Sequence, residues 1–324
     1  MIRTRFTTLF RVEHPVVLGG MGGGTSPELV AAVSNAGGLG IMGVTGRSPA
    51  DLTAIARAIR ELTQKPFGLN LLLFRSSEEQ VAGVLDAAPA VFSTAWPSEE
   101  QDLKQLFARA HDRGAKVMHM VAAAPDAEKA AAAGADVIVA QGTEGGGHVG
   151  TIGTSVLVRI VARAVAPIPV LAAGGIADGA GLAAMLALGA EGVLLGTRFL
   201  ATPEAPIHEA FKRVIVDSDG HDTVLTDVND IAMRNEWPGA WSRLKRNRAV
   251  ERWQGRANEL RRNSAQVAAR FEEARKRGEA EEAVLYTGQT SGLIDEIIPA
   301  AQVVEDVVKE AEEILSGRLP GLVV

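Results

Sequence analysis

The segment DVIVAQGTEGGGHVG, Asp136 to Gly150, decides the fold, because an apolar run of strand length ends there in a polar turn rich in glycine. Its five glycines let the backbone adopt positive φ and pass close to a flat ligand, where a Cβ atom would collide. His148 carries the only ring nitrogens in this turn, and we interpret it as a catalytic base. The alternative is a flexible surface turn with an incidental histidine.

Apolar runs of this kind alternate with segments of helical period from the N-terminus to about Phe211, as in repeated βα units with a parallel sheet. Eight runs read as strands, at residues 15–21, 39–44, 66–74, 90–95, 116–121, 137–140, 168–176 and 191–199. Ser26-Pro27 and Ser48-Pro49 supply N-cap and first-turn residues for two helices between them. Eight units predict an α/β fold, a (β/α)8 TIM barrel; a doubly wound open sheet has a similar local pattern.

The pattern changes after Phe211. Residues 217–230 are polar and turn-like, 244–277 read as a long helical stretch, and 300–315 as a closing amphipathic helix. We therefore predict a barrel at 1–215, a helical insertion or lid after strand 8 at 216–280, and a return segment with a C-terminal helix at 281–324. Residues 243–277 hold twelve Arg or Lys against four acids, a net charge of +8. This is interpreted as a solvated helix face, or as a surface for an anionic substrate tail or partner.

Composition excludes several classes of protein. The 324 residues, 47% hydrophobic and 22% charged, suit one barrel-sized domain with an insertion. With no cysteine there is no disulfide framework, thiolate metal site or cysteine nucleophile, and no His/Asp/Glu cluster has metal-ligand spacing. The net charge of −6 argues against nucleic acid. No signal peptide or apolar run of membrane length is apparent, so a cytoplasmic protein without a membrane partner is expected.

Active sites of parallel barrels lie where the strands end, and here those positions are rich in glycine. Gly19, Gly20 and Met21 follow strand 1, Gly174 and Gly175 follow strand 7, and Gly196 and Thr197 lie at strand 8. Small residues at the ends of strands 7 and 8 suit a phosphate bound by backbone N–H groups. The alternative is that these glycines only tighten short loops.

Two amides and one further histidine complete the candidates. Asn70 on strand 3 and Gln141 at the end of strand 6 could hydrogen-bond an amide-like ring system, with buried structural roles as the alternative. His119 alternates with Met118 and Met120 and is therefore expected to face away from them.

Together these motifs resemble the flavin-dependent nitronate monooxygenase family, with its relatives the NADH:quinone reductases and enoyl-acyl-carrier-protein reductase II. The shared segments are Gly19-Gly20-Met21, Phe67-Gly68-Leu69-Asn70, Gly142 to His148, Ala173 to Gly179, and Gly196 to Phe199. The resemblance extends over nearly the whole chain. Some members carry lysine after strand 5 and aspartate at the end of strand 6, where this chain has Met120 and Gln141.

The resemblance implies non-covalently bound FMN in a TIM barrel. Gly19, Gly20, Met21 and Asn70 would line the ring system; Gln141, Gly145, Gly146 and Gly147 would pass beside it; Gly174, Gly175, Gly196 and Thr197 would hold the phosphate. His148 matches the histidine proposed to take the proton next to a nitro group or to orient the substrate.

The implied reaction is oxidation of a small nitronate or nitroalkane by FMN and O2 to a carbonyl compound and nitrite. The first alternative is a reductase that uses NAD(P)H on a quinone or an enoyl thioester. The second is a flavin-binding protein without turnover. A homodimer is compatible with all three functions.

Overall fold

The computed structural model describes residues 1–322 and contains a closed barrel of eight parallel strands. The barrel strands are β1 (Val16–Leu18), β2 (Leu39–Gly43), β3 (Phe67–Leu72), β4 (Val91–Ala95), β5 (Lys116–Val121), β6 (Val137–Gln141), β8 (Val170–Ala173) and β9 (Val193–Leu195). They pair in this order, and β9 closes the ring on β1, with Val17 opposite Leu194. The predicted (β/α)8 barrel is confirmed, since each strand is followed by a helix and no open edge remains in the sheet.

Helices surround the barrel. They are α2 (Pro27–Asn35), α3 (Pro49–Leu62), α4 (Glu78–Asp86), α5 (Leu103–Asp112), α6 (Ala124–Ala132), α7 (Thr154–Ala164) and α8 (Gly179–Ala187). The predicted caps are confirmed: the Ser26 and Ser48 side chains accept hydrogen bonds from the first turns of α2 and α3. The closing helix α15 (Ala300–Glu313) packs against α8 and α2 and so takes the place of the eighth helix.

The barrel interior is filled by side chains from alternate strand positions, among them Val17, Ile41 and Val139. Phe6 and Phe10 of helix α1 (Arg5–Phe10) belong to the same buried cluster and close the amino-terminal end of the barrel. Helix α1 is not among the elements predicted from the sequence. Because the interior is packed from that end, the carboxyl ends of the strands provide the mouth at which a ligand can bind.

A second sheet lies outside the barrel. It has three antiparallel strands, with β11 (Trp241–Lys245) between β7 (Gly147–Val149) and β10 (Thr223–Thr226). The remaining helices are α9 (Thr197–Leu200), α10 (Glu209–Val216), α11 (Val228–Met233), α12 (Arg248–Trp253), α13 (Ala257–Arg262) and α14 (Ser264–Arg277). The insertion after strand β9 therefore has its own strands, and β7 joins it to the glycine turn. The limits after 215 and 280 stay predictions, and the last two residues of the 281–324 part lie outside the described residues.

Four expectations about local structure were wrong. The predicted turn at 217–230 contains β10 and the start of α11. The long helix predicted at 244–277 begins with the end of β11 and then divides into three helices, α12 to α14. The predicted eighth strand ends at Leu195 and is followed by helix α9, because an apolar run alone does not distinguish a buried strand from a buried helix. The glycine turn contains β7, which exists through its pairing with β11.

Much of the positive charge of the insertion is neutralised by nearby acids. Arg252 pairs with Glu282, Arg256 with Glu259, and Arg275 with Glu272. These partners fit the interpretation of a solvated helix face. Among residues 1–322, no helix is both long enough and apolar enough to cross a membrane.

Candidate active site

His148 lies on β7, which follows β6 after the turn at 142–146, and its side chain is 9% exposed. The antiparallel register places Ser242 of β11 opposite it. Nε2 of His148 is 2.8 Å from Oδ1 of Asp230, on helix α11, and 2.9 Å from Oγ of Ser242. Ser242 Oγ is in turn 2.9 Å from Oδ2 of Asp230. The insertion thus supplies both polar partners of the histidine.

The hydrogen bonds define the tautomer of His148. A carboxylate only accepts, and the single hydroxyl proton of Ser242 is donated to Asp230. Both partners of Nε2 are therefore acceptors, so Nε2 carries the ring proton. Among residues 1–322, Nδ1 has no hydrogen bond, and in the neutral ring it holds the free lone pair. An imidazole oriented by a carboxylate, with its second nitrogen free, can serve as a general base.

Aromatic side chains surround this imidazole. The Trp237 ring, from the loop at 234–240 between α11 and β11, stacks on His148 with the centroids 3.3 Å apart and an 11° angle between planes. The rings of Phe74 and Trp96, which follow β3 and β4, have their centroids 4.8 and 6.1 Å from that of Trp237. The site therefore has an apolar wall built jointly by the barrel loops and the insertion.

Tyr286 approaches His148 from the return segment, with ring centroids 5.7 Å apart. Its hydroxyl accepts a hydrogen bond from Asn229 Nδ2 at 2.6 Å. Burial of the hydroxyl, and then the negative charge of Asp230, raise the pKa of Tyr286 above its usual value. The phenol therefore stays protonated and remains a hydrogen-bond donor.

The ends of β1 and β3 meet at Gly20 and Asn70. A Cβ on Gly20 would lie 2.5 Å from Cβ of Asn70, so only glycine fits there. Asn70 Oδ1 accepts from Ser93 Oγ at 2.9 Å, and its amide N–H reaches the Gly20 carbonyl at a long 3.4 Å. Gly19 N–H donates to the carbonyl of Leu195 on β9. Asn70 is thus held in orientation with one amide proton left for a ligand.

The turn glycines have different neighbours. A Cβ on Gly142 would collide with Thr154, and one on Gly146 with the backbone of Thr287 and Gly288. Those two positions therefore require glycine for contacts within the protein. Gly145 lies close to Gly174, since a Cβ added at Gly174 would lie 2.8 Å from the backbone nitrogen of Gly145. A Cβ added at Gly147, which has a φ of +81°, would meet no atom within 4 Å. Passage of Gly145, Gly146 and Gly147 beside a ligand stays a prediction.

The ends of β8 and β9 lie side by side, since Ala173 pairs with Leu194. Gly174 and Gly175 both have positive φ, 88° and 75°. Thr197, which is buried, accepts a hydrogen bond on Oγ1 from Gly288 N–H at 3.0 Å, so its hydroxyl proton is free to donate. Gly196 is the N-cap residue of helix α9. The Met21 thioether lies beside it, because a Cβ added at Gly196 would be 3.4 Å from the Met21 sulfur. The four residues predicted to bind phosphate thus lie on adjacent strand ends.

Gln141 ends β6, and its Oε1 is buried without a hydrogen-bond partner among the described residues. A buried acceptor without a donor is costly and fits a ligand that brings an N–H group. His119, in contrast, faces away from Met118 and Met120 as predicted, since both methionines belong to the barrel interior. Its Nδ1 lies 2.7 Å from Thr94 Oγ1, and the ring packs on Phe107. Burial lowers the pKa of His119 to about 4, which keeps it neutral.

Sequence reasoning missed Asp230, Ser242, Trp237 and Tyr286. Asp230 lies at the end of the segment predicted to be a turn, 217–230. No local pattern marked them, because all four contacts are long-range. Ser242 reaches His148 through the pairing of β7 with β11, and the other three through side-chain contacts.

Comparison of the chain with known proteins shows which family it resembles. The family model described as nitronate monooxygenase matches residues 3–89 and 75–310. A probable nitronate monooxygenase from Staphylococcus saprophyticus is 33% identical over 97% of this chain and 99% of its own length. The structure of FabK from Thermotoga maritima is 37% identical, with a TM-score of 0.90 and full coverage of both chains.

A further relative from Mycobacterium tuberculosis carries a different activity in its name, (3aS,4S,5R,7aS)-5-hydroxy-7a-methyl-1-oxo-octahydro-1H-indene-4-carboxyl-CoA dehydrogenase. It is 41% identical over 228 residues, which cover 69% of this chain. The match spans only 63% of the relative's own length.

Proposed function

We propose that this chain, which belongs to the nitronate monooxygenase family, is an FMN-dependent oxidoreductase that oxidises alkyl nitronates with O2 to carbonyl compounds and nitrite. The observation that carries the proposal is the His148–Asp230 pair beyond the end of β6, beside the strand ends that suit a flat ligand. A base at this point suits a substrate that must lose a proton from carbon.

The residues at the mouth fit FMN on several independent features. Gln141 offers a buried acceptor without a donor, and Asn70 has an amide proton to spare. Gly174 and Gly175 leave room for close approach of backbone amides to a phosphate, and the Thr197 hydroxyl can add a donor. Bound FMN would supply the electron acceptor for the substrate, whereas the protein supplies position and proton transfer.

His148 would act on the neutral nitroalkane by taking the proton next to the nitro group on Nδ1. The proton on Nε2 stays on the ring and is donated in a hydrogen bond to Asp230, whose negative charge stabilises the imidazolium that forms. The wall of Trp237, Phe74 and Trp96 would exclude water from the substrate carbon. A substrate that enters as the nitronate needs no such proton transfer.

A second candidate is an NAD(P)H-dependent reductase acting on an enoyl thioester or a quinone. The observation in its favour is the 41% identity to a protein named as a carboxyl-CoA dehydrogenase. Arg261, Arg262 and Arg270 of the insertion are exposed and form no ion pair within residues 1–322, so they could meet an anionic coenzyme A tail.

Anaerobic stopped-flow spectroscopy of the flavin-loaded protein separates the two candidates. We expect propionate 3-nitronate to bleach the flavin absorbance rapidly in the anaerobic experiment. Under air, the same substrate should cause O2 uptake and nitrite release. Bleaching by NADH or NADPH without a response to nitronate would instead establish the reductase. No bleaching by any of the three would overturn both.

A further inference from the structure

Trp237 has an unusual combination of features for a residue outside the barrel. Its loop carries it across to the mouth, where the ring stacks on His148 and packs against Phe74. Yet Nε1 is buried and has no hydrogen-bond partner among residues 1–322. A buried N–H without an acceptor is unfavourable, and tryptophan is normally placed so that this group is satisfied.

The position of this N–H relative to the base gives it a chemical meaning. Because the two rings are parallel and in contact, an acceptor atom bound to the Trp237 edge lies next to the imidazole of His148. Removal of a proton from carbon moves negative charge onto the oxygens of the attached nitro group. A fixed donor in an apolar surrounding is well suited to stabilise such a charge.

We propose that the Trp237 indole N–H is a substrate-binding donor that hydrogen-bonds an oxygen of the substrate's planar oxyanion group at the edge of the stacked pair, while the ring, in contact with His148, keeps the imidazole in place. The inference rests on the proposed function, since it names how the same site recognises its substrate. It assigns to the insertion a direct part in specificity: substrates need an oxygen acceptor two bonds from the carbon that loses the proton.

Kinetics of two variants separate the donor from the ring. Trp237→Phe keeps a stacking ring without the N–H, and we expect its kcat/KM for nitronate to fall about 10- to 100-fold. Trp237→Leu, which loses both, should fall further. Trp253→Phe is the matched control, because Trp253 lies on α12 in the insertion and contacts Arg256 rather than His148. A Trp237→Phe enzyme with the kcat/KM of the Trp253→Phe control would overturn the proposal.

Indole ¹⁵N–¹H spectra test the contact independently of turnover. The chain has four tryptophans, and the resonance missing in Trp237→Phe identifies Trp237. We expect this resonance alone to move downfield when propionate 3-nitronate, or the planar oxyanion nitrate, is titrated into the flavin-loaded protein. If nitronate is not turned over but the resonance moves, the proposed function fails and the donor assignment stands. If the Trp237 resonance does not move at saturating concentrations of both, the donor assignment fails.

Discussion

Nε2 of His148 lies 2.8 Å from Oδ1 of Asp230, although 82 residues separate the two in the sequence. The contact joins the glycine turn of the barrel to helix α11 of the insertion, and both side chains are about nine-tenths buried. A buried imidazole with a carboxylate on one nitrogen has a defined tautomer. The candidate base is therefore assembled from two distant parts of the chain.

Asp230→Asn should lower kcat/KM for a neutral nitroalkane about 100-fold, because asparagine can still accept from Nε2 but brings no charge to stabilise the imidazolium. Activity on preformed nitronate should change by no more than a few fold. Asp227→Asn is the control, since Asp227 is exposed at the start of the same helix and its side chain caps nothing. Equal losses on both substrates would contradict a role in proton transfer.

His148→Ala should keep FMN but lose turnover of neutral nitroalkane much more than turnover of nitronate. Only the neutral substrate needs the base, whose removal costs about 10² to 10⁴ in rate. Oxygen-electrode assays with both substrates give the ratio, and added imidazole should restore part of the lost activity. His221→Ala, at an exposed site, should match the wild type. Equal loss of turnover on both substrates would refute the assignment of His148 as base.

Gly20→Ala should destabilise the protein by about 1–3 kcal/mol and weaken FMN binding, because the new methyl group would meet Asn70 and Ile41. Gly22→Ala provides a close comparison, since a Cβ there meets no atom within 4 Å. Urea unfolding of the flavin-free proteins measures the first effect, and absorbance titration with FMN the second. Equal stability of the two variants would show that the strand ends can rearrange around Gly20.

Thr197→Val should weaken FMN binding at least tenfold, a difference of about 1.4 kcal/mol. Valine removes the proposed phosphate donor and leaves the Gly288 N–H without its acceptor. Thr197→Ser keeps the hydroxyl and should bind FMN nearly as the wild type does. Fluorescence titration of free FMN measures the dissociation constants. If valine and serine variants bound FMN equally, the hydroxyl would have no part in the phosphate site.

The free energy of unfolding should fall in acid because of His119. The pKa of His119 is about 4 in the folded protein, whereas the ordinary value of 6.5 applies in the unfolded chain. Between these two pH values the unfolded chain therefore binds a proton that the folded protein does not. Stability is therefore retained above pH 6.5 and lost as the pH falls towards 4, by roughly 2 kcal/mol at pH 5.

Urea unfolding at pH 7 and pH 5 checks this dependence. In His119→Gln the acid loss should be smaller by about that amount, although glutamine can still bond Thr94. His221→Gln, at an exposed position, should keep the wild-type pH dependence. The same acid loss in His119→Gln as in the wild type would show that other groups cause it.

The sequence alone determined the barrel and the location of its mouth. Strand and helix periods, the Ser26 and Ser48 caps and the glycines after strands are local signals, and each describes residues close together in the chain. They also singled out His148 and placed it beyond β6. The orientation of His119 away from Met118 followed from the two-residue period of a strand.

Only the tertiary structure decided how His148 is held. β7 is built from glycine, histidine and valine, which carry no pattern of a strand, and it exists because β11 lies beside it. That pairing places Ser242 beside the imidazole, and Asp230 of α11 and Trp237 of the adjoining loop contact the same ring. Periodicity describes which face of an element is buried but not which distant element covers it. The partners of the base therefore depend on long-range strand pairing that one sequence does not reveal.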